Sequence, residues 1–350
     1  MRKVIIRSGQ PVYKQVRLPQ PGNVLVRTGQ EVKVGDVLAE AVIPKEFQVF
    51  DIVNHLGIHP SRLDQHLKRL NGEAVRKGDV IAQKPGLITR IFRASQDGRI
   101  VSMREGRVTL AMGEQKLQVM APIAGTVVEL IPGFGVVIGL TGSLIQGVWS
   151  NGLNASGSFT HLEFDFTDPQ QRSYLPEIKD KIVFSGDIIT PERFRLLTAK
   201  RPAGIVLPSL VPGLVRDVIN SSIAVMSLNG FGDQEADSVS LGLLEKMQDQ
   251  EVFLLSDGAG QLAELIMLGE GGQGSALFDE EVTLGVGSLV RLLGEPYLGS
   301  TGQVVELPEK AERFASGLTA KVAVVERQDG SFIRVPITNL LLMDVSQPKD

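Results

Sequence analysis

Histidine and cysteine carry out much of the chemistry of enzymes, and this sequence holds few of them. Its 350 residues include four histidines and no cysteine, which excludes a thiol nucleophile, a thiolate metal site and a disulfide. His55, His59 and His66 lie close together, but the turn at residues 57–60 breaks the four-residue spacing of a helical metal site. Residues 171–268 contain no histidine. These patterns favour a protein that is not an enzyme and that holds neither a metal nor a cofactor.

Basic residues occur in a stretch that is predicted to be a helical hairpin. Over residues 46–71, apolar residues recur at intervals of three and four on both sides of Gly57, and Gly72 follows as a C-terminal stop. The stretch resembles the helix-turn-helix of bacterial regulators, which implies contacts with DNA from four residues: Arg62, Gln65, Lys68 and Arg69. We favour the alternative, a helical cap on a β domain, because no third helix or wing follows.

Two segments of the chain are copies of one another. Residues 29–40 and 72–83 both read G-x-x-V-[KR]-x-G-D-V-[LI]-A-[EQ] and align without a gap. Each segment predicts two short strands joined by a turn, because Gly supplies a positive φ and Asp bonds its own local backbone. Internal duplication normally means two copies of one supersecondary unit that bury a face against each other. We therefore predict that the segments occupy equivalent positions in one β-rich domain.

The repeated motif V-x-x-G-D-V-[LI]-A resembles the half-motif of biotinyl/lipoyl-like domains, the barrel-sandwich hybrids. Residues 121–128 are similar to the A-P-x-x-G-x-V strand of such domains. The resemblance implies either a carrier of a lysine-linked cofactor or a passive structural module. Lys45 has the carrier spacing, ten residues after Gly35, but Pro44 and Glu46 replace the expected Asp and Ala. We therefore expect Lys45 to be unmodified, which an intact-mass measurement of protein from its native host checks.

Residues 171–268 alternate strands and helices at the spacing of a small α/β domain with a mostly parallel sheet. Ligands of such sheets bind beyond the carboxyl ends of the strands. The polar and glycine residues predicted at those ends are Ser185, Asp187, Ser209, Asn229, Gly230, Gly232 and Asp233. No nucleotide fingerprint accompanies them. The alternating acids Asp233, Glu235 and Asp237 suit a hard cation, but we expect them to be solvated.

Residues 286–350 have a third pattern. They read G-x-x-V-R from Gly287, G-x-x-G-x-V from Gly299 and V-P-x-x-N-L from Val335. This resembles a KOW motif in an SH3-like barrel, as in NusG-type transcription factors and ribosomal proteins, and implies contacts with RNA, ribosome or RNA polymerase. The basic residues on its candidate strands and turns are Arg291, Lys321, Arg327 and Arg334. The net charge of this segment is −1, so a barrel that faces a protein is at least as well supported.

Together these patterns predict a multidomain α+β protein. Its segments are a barrel-sandwich-hybrid-like β domain at 1–170 with the helical insertion at 46–71, a small α/β domain at 171–268, a Gly-rich linker at 269–285 and a KOW/SH3-like β-barrel at 286–350. The uncharged residues 130–149 predict buried strands rather than a membrane helix, because glycines and Pro132 interrupt them. The first residues lack the apolar run of a signal peptide, and we expect a cytoplasmic location.

Charge and motifs together lead to one functional prediction and two alternatives. Residues 1–170 have a net charge of +5 and residues 171–285 one of −8, which predicts only weak binding of nucleic acid. We expect a non-catalytic binding or scaffold protein whose β-barrel modules dock nucleoprotein machinery or copies of itself. A protein partner is therefore expected, and a homo-oligomer is one form of it. The alternatives are a DNA-binding regulator that uses residues 50–70 and a lipoyl/biotinyl-type carrier at Lys45.

Overall fold

The computed structural model describes residues 3–162, 176–269, 283–294, 296–314 and 317–346. Strands hold 48% of the residues and helices 13%, so the predicted β-rich α+β class is confirmed. The chain forms two compact units. The first contains residues 1–14, 122–126 and 138–350, and the second contains residues 15–121 and 127–137. Most of the predicted linker, and the boundary predicted at residue 170, lie outside the described residues.

Short strands account for most of the described residues. In chain order they are β1 Lys3–Arg17, β2 Asn23–Val24, β3 Glu31–Val32, β4 Val37–Ile43, β5 Glu46–Asp51, β6 Ala74–Val75, β7 Val80–Lys84, β8 Arg90–Arg93, β9 Gly98–Arg104, β10 Arg107–Met112, β11 Gln115–Met120, β12 Gly125–Ile131, β13 Gly135–Gly147, β14 Trp149–Ser150, β15 Ala155–His161, β16 Ile182–Phe184, β17 Gly204–Leu207, β18 Ala224–Ser227, β19 Glu251–Ser256, β20 Ala263–Leu268, β21 Leu289–Leu292, β22 Thr301–Glu306, β23 Glu312–Arg313, β24 Thr319–Ala320, β25 Val322–Arg327, β26 Phe332–Pro336 and β27 Leu340–Ser346. The α-helices are α1 Ile52–Leu56, α2 Pro191–Ala199, α3 Val215–Ile219 and α4 Ser238–Lys246, and the 3-10 helices are Pro60–Gln65, Pro212–Leu214 and Ile337–Asn339.

In the second unit, the repeated segments form matching strand–turn–strand hairpins. Gly35 and Gly78 stand at the two turns with φ of 88° and 91°, values that favour glycine. The Asp36 carboxylate accepts the N–H of Lys33 at 2.8 Å. The Asp79 carboxylate accepts the N–H of Arg76 at 3.1 Å. Both turns therefore form as the sequence predicts, with Gly at the positive φ and Asp as the hydrogen-bond acceptor.

The wider backbone hydrogen bonds of the two copies also correspond. Matched N–H to carbonyl pairs are Gly29 to Val127 and Gly72 to Ile100 at 2.7 Å, and Gly35 to Ala121 and Gly78 to Ala94 at 2.9 Å. Donors in these pairs are 43 residues apart and acceptors 27 residues apart in sequence. The predicted equivalence of the segments is confirmed. The duplication also includes residues 94–100, whose alanine, glycine and β-branched residue match those of residues 121–127.

One copy is inserted into the other. We define the outer copy as residues 15–43, 115–121 and 127–137, and the inner copy as residues 46–112. In the outer copy, β4 pairs antiparallel with β11, with Ile43 opposite Gln115. The whole inner copy therefore follows β4 and precedes β11 at the tip of this hairpin. Its two ends meet at the neck, where the N–H of Lys45 donates to the Met112 carbonyl at 3.1 Å.

The helical insertion predicted at residues 46–71 is wrong at both ends, because neither residues 46–51 nor residues 66–71 are helical. Residues 46–51 form the strand β5, the edge of a four-stranded sheet with the order β5-β10-β9-β6. Antiparallel pairing with β10 places Phe50 opposite Val108 and directs it to the core of the inner copy. This tertiary pairing overrides the three-residue spacing of the apolar residues.

The short helical elements that follow β5 cover the core of the inner copy. The Asp51 carboxylate caps α1 by accepting the N–H of Asn54 at 3.0 Å. Ile52 and Leu56 of α1, and Leu63 of the 3-10 helix, are buried in this core. The favoured interpretation, a cap on a β domain, is confirmed for these residues.

In the first unit, a long sheet runs in the order β14-β18-β17-β16-β15-β19-β20-β13-β1-β27-β21-β22-β25-β26. Strands β15 to β18 are mutually parallel along this path, as the α/β pattern predicts. Thr190 caps α2 by accepting the N–H of Arg193 at 3.4 Å. Strand β13 is buried along almost its whole length, which confirms buried strand for residues 135–147 of the predicted stretch 130–149. None of the helices described is long and apolar enough to cross a membrane.

The last strands of the first unit enclose a small core of their own. Strand β21 pairs with β22 and β27, and β25 pairs with β22 and β26. The 3-10 helix Ile337–Asn339 connects β26 to β27. The buried residues of this core are Val290, Leu292, Val304, Ala323, Val325, Leu340 and Leu342.

Candidate functional site

The hairpin of the inner copy ends in two exposed aliphatic side chains. Strands β7 and β8 pair antiparallel, with Lys84 opposite Arg90, and residues 85–89 connect them. Within this connection Leu87 is 110% exposed and Ile88 is 83% exposed. Adding the repeat offset of 43 residues to Lys45 gives Ile88, so this tip is the counterpart of the site at which the outer copy carries the inner one. We call residues 85–89 the apolar tip.

Contacts from the capping segment hold the base of this hairpin. The Lys84 ammonium donates to the Gly57 carbonyl at 2.8 Å, just after α1. Nε2 of His55 lies 3.2 Å from the Ile91 carbonyl. The His55 ring also packs edge-on against Phe92, with 5.2 Å between ring centroids. The apolar tip therefore stands on a hairpin that is fixed from one side by α1.

The second strand edge of the hairpin is held in the same way. Nδ1 of His66 lies 3.2 Å from the Gln83 carbonyl, and the Gln83 N–H donates to the His66 carbonyl at 2.8 Å. Leu67 forms an antiparallel bridge with Ala82. In this antiparallel register, residue 66 lies opposite residue 83. Residue 65 therefore lies at the same end of the hairpin as Lys84 and the apolar tip.

Cations outnumber anions in the segment that caps the inner core and in the end of the hairpin. Residues 55–66 and 83–91 contain Arg62, Lys84 and Arg90 against one carboxylate, Asp64, besides three histidines. Over the whole inner copy, eleven Lys and Arg stand against seven Asp and Glu, a net charge of +4, whereas the outer copy has four of each. The inner copy is therefore a basic module with an exposed apolar end.

The four residues predicted to read DNA do not share a helix. Arg62 and Gln65 are exposed on the 3-10 helix, whereas Lys68 and Arg69 lie beyond its end. The recognition helix predicted through residues 66–70 is wrong because this segment pairs with β7, and the Lys68 N–H donates to the Ile81 carbonyl at 2.8 Å. The Arg69 guanidinium forms ion pairs within the inner copy, at 3.1 Å with Glu73 and 3.2 Å with Asp79, and so supports its Gly-Asp turn.

Of the four basic residues singled out in the KOW-like segment, three form ion pairs with carboxylates, among them Arg327 with Asp329 at 2.7 Å. Arg291 is 2% exposed and pairs with the buried carboxylate of Asp237, which removes it from any surface. Burial lowers the pKa of the Arg291 guanidinium, and the charge of Asp237 opposes this shift. Arg334 is exposed and pairs with Glu312, while Lys321 is exposed between β24 and β25.

Lys45 lies at the neck rather than at a free hairpin tip. Its side chain is exposed, but its backbone joins β4 to the start of the inner copy. In a carrier domain the lysine stands at the end of a tight hairpin that a modifying enzyme grips. Here that position is occupied by 67 residues of folded chain, from Glu46 to Met112, so the geometry does not suit modification.

Most of the strand-end residues predicted in the α/β region bond to their own loops. The Ser209 hydroxyl donates to the Gly232 carbonyl at 3.0 Å and accepts the Gln234 N–H at 2.9 Å. The Ser185 hydroxyl donates to the Asp187 carbonyl at 2.8 Å. These groups hold the loops at the carboxyl edge of the parallel sheet.

A cleft of about 660 Å³ opens beside these loops, within the first unit. Residues 233–238 line one part of it, and residues 298–301 and 327–329 line the rest. Its lining contains four carboxylates and one guanidinium, that of Arg327, which lies 4.6 Å from the Tyr297 ring centroid. The part of the chain that the structure describes contains no cluster of three or more His, Cys, Asp or Glu residues that suits a metal ion. The polar groups that line the cleft include carboxylates, the hydroxyls of Ser238, Ser300 and Thr301, and the Arg327 guanidinium.

The sequence predictions missed Leu87 and Ile88. Two signals pointed to them: Pro85-Gly86 marks a turn, and the repeat offset places Ile88 at the counterpart of Lys45. The sequence alone did not show that the inner hairpin ends in solvent. Comparison with known proteins finds no family model that matches the chain and no curated protein with significant similarity to it.

Proposed function

We propose that this chain is a non-catalytic docking protein whose inner copy presents the apolar tip to a binding partner. One observation supports this function above the others: two adjacent aliphatic side chains stand almost wholly in water at the end of a paired hairpin. Burying one such side chain contributes about 1.5–3 kcal/mol. Because the chain itself leaves both side chains exposed, that stabilisation is available to a partner.

Two finer features of the fold belong to the same proposal. The duplicated hairpins support a barrel-sandwich hybrid for each copy, and the five strands with a 3-10 helix before β27 support an SH3-like barrel. Both are scaffolds on which surface loops carry the function. The ion pairs of Arg291 and Arg334 support an SH3-like barrel that faces a protein over one that contacts RNA.

The two alternative functions have less geometric support than docking. A regulator of the helix-turn-helix type inserts a continuous helix into the major groove, and residues 66–70 form no helix here. A lipoyl-type carrier requires a lysine at a free hairpin tip. The free tip of the inner copy has Ile88 at that position, and the lysine of the outer copy lies at the neck.

Site-specific photo-crosslinking in the native host tests the docking function. A photoreactive amino acid replaces Ile88 in one protein and Lys45 in a matched control, because both positions are exposed and equivalent in the two copies. We expect a defined adduct from position 88 and little from position 45. Absence of an adduct from position 88, or the same adducts from both positions, would contradict the proposal.

A further inference from the structure

The shape of the apolar tip favours a partner that needs no complementary pocket. Leu87 and Ile88 are neighbours, and the exposed fraction of Leu87, 110%, is that of a side chain with almost no protein around it. A convex pair of this kind fits a protein surface only where a matching cavity exists. A lipid interface receives aliphatic side chains without such a cavity, because acyl chains rearrange around them.

The charges beside the tip indicate the sign of the surface it meets. Arg62 and Arg90 are exposed, and the Lys84 ammonium is held at the base of the hairpin by the Gly57 carbonyl. Against these three cations, the surrounding segments contribute one carboxylate, that of Asp64. Cations near a membrane are attracted to anionic headgroups, and stable association of a peripheral protein takes two signals, one apolar and one electrostatic.

We propose that the apolar tip docks on a membrane surface that contains anionic lipids, with Leu87 and Ile88 entering the interface and Arg62, Lys84 and Arg90 facing the headgroups. This inference rests on the docking function proposed above and names the partner. The mode is peripheral, since only a hairpin tip enters the lipid.

The fold of the inner copy holds the tip at the end of a paired hairpin before it binds. Strands β7 and β8 pair from Val80 to Arg93, and Ala82 and Phe92 pack into or against the inner core. The hairpin is therefore ordered before it meets a membrane, and little conformational entropy is lost on binding.

Vesicle flotation with the full chain provides the test. The probes are vesicles of phosphatidylcholine alone and of phosphatidylcholine mixed with phosphatidylglycerol. We expect binding to the mixed vesicles that weakens with salt, and a drop of roughly tenfold or more for the L87S/I88S double variant. The matched control is F47T/V49T, which removes two apolar side chains that are 60% and 57% exposed on β5 of the same copy. This control should bind as the unaltered chain does.

A charge variant separates the two signals. R62E/R90E should lose roughly tenfold or more of its affinity for anionic vesicles and most of the salt dependence. Thermal unfolding of each variant, followed by circular dichroism, shows that loss of binding is not loss of fold.

Three outcomes would overturn the membrane proposal. They are unchanged vesicle binding by L87S/I88S, equal binding to neutral and anionic vesicles, and no binding to either. In the last case, a protein adduct from position 88 in the crosslinking experiment would retain the docking function with a protein as the partner. Absence of any adduct would remove the docking function as well.

Discussion

The outer and inner copies share a backbone pattern and differ at two places. The first place is the connection between the first strand and the hairpin. This connection has five residues, 18–22, in the outer copy and fourteen residues, 52–65, in the inner copy. At the second, the hairpin tip holds a whole folded module in the outer copy and two exposed aliphatic residues in the inner one. The hydrogen bonds between these places are conserved between the copies, so this framework tolerates change at its loops and fixes its turns.

The two copies also differ in what covers their cores. The inner core has eleven buried residues, which come from α1, the 3-10 helix, four strands and Ala94 after β8. In the outer copy, Leu18, Ala39 and Ala41 form a buried cluster, and Val32, Leu38, Ala121 and Val127 are buried as well. The longer capping segment of the inner copy supplies Ile52, Leu56 and Leu63 to the inner core. We infer that the inner copy folds as a module in its own right, and matched substitutions in the two copies test this.

The largest expected effect comes from the core pair Leu38 and Ile81, which are equivalent and fully buried. Leu38→Ala and Ile81→Ala should each reduce the free energy of unfolding by about 3 kcal/mol, from lost burial and the cavity left behind. Hydrogen exchange distinguishes the copies. Ile81→Ala should reduce protection of the Ile100 N–H while the Val127 N–H keeps most of its protection. Equal loss at both amides would show that the copies unfold as one.

The turn glycines should respond equally. Both Gly35 and Gly78 have a positive φ, and a Cβ at either position would meet no atom within 4 Å. Gly35→Ala and Gly78→Ala should therefore each cost about 1–2 kcal/mol through backbone strain alone. Gly242→Ala in α4 is the control, since it also has open space but no positive φ, and it should stabilise by up to about 1 kcal/mol. Denaturant unfolding measures all three, and unequal costs at the two turns would show that their surroundings differ.

The turn aspartates should respond unequally, because Asp79 adds an ion pair with Arg69 to its turn hydrogen bond, whereas the interaction described for Asp36 is the turn hydrogen bond. The backbone hydrogen bond from Arg76, together with the charge of Arg69, lowers the pKa of Asp79 below its usual 3.8. Its contribution is complete above that usual value and is lost as the pH falls through the lowered pKa. Asp79→Asn should therefore lower the Tm at neutral pH more than Asp36→Asn does, and the Tm of Asp79→Asn should approach that of the unaltered chain in acid. A difference that persists in acid would contradict this explanation.

The smallest effect on stability is expected at the apolar tip. Because Leu87 and Ile88 are exposed, L87S/I88S should change the free energy of unfolding by no more than about 0.5 kcal/mol. Thermal unfolding checks this value. A larger loss of stability would mean that the tip packs against another part of the chain and is not free to dock.

Local chemistry explains what the sequence predicted well. A Gly-Asp turn needs only a positive φ and a short acceptor, both of which are present at Gly35-Asp36 and Gly78-Asp79, and the structure forms both turns. The start of α2 is local in the same way, since Thr190 caps the helix and Pro191 follows at its first position.

Tertiary contacts explain what the sequence did not predict. The spacing of Phe47 and Phe50 suits a helix, but pairing with β10, more than fifty residues later in the chain, makes their segment a strand. Arg291 was predicted to be a surface contact, and it is buried because Asp237 lies beside it in the fold. The exposure of the apolar tip has the same origin, since it depends on where the inner hairpin ends and not on its own residues.

The neck at Lys45 has a consequence for how this chain arose and for how it can be altered. A module whose first and last residues are one hydrogen bond apart can be gained, lost or exchanged without displacing the two strands that carry it. Duplication of an ancestral unit into its own hairpin is therefore sterically simple, and a foreign domain with adjacent termini can be grafted at the same junction. The hairpin of the outer copy can therefore carry an inserted domain other than the inner copy.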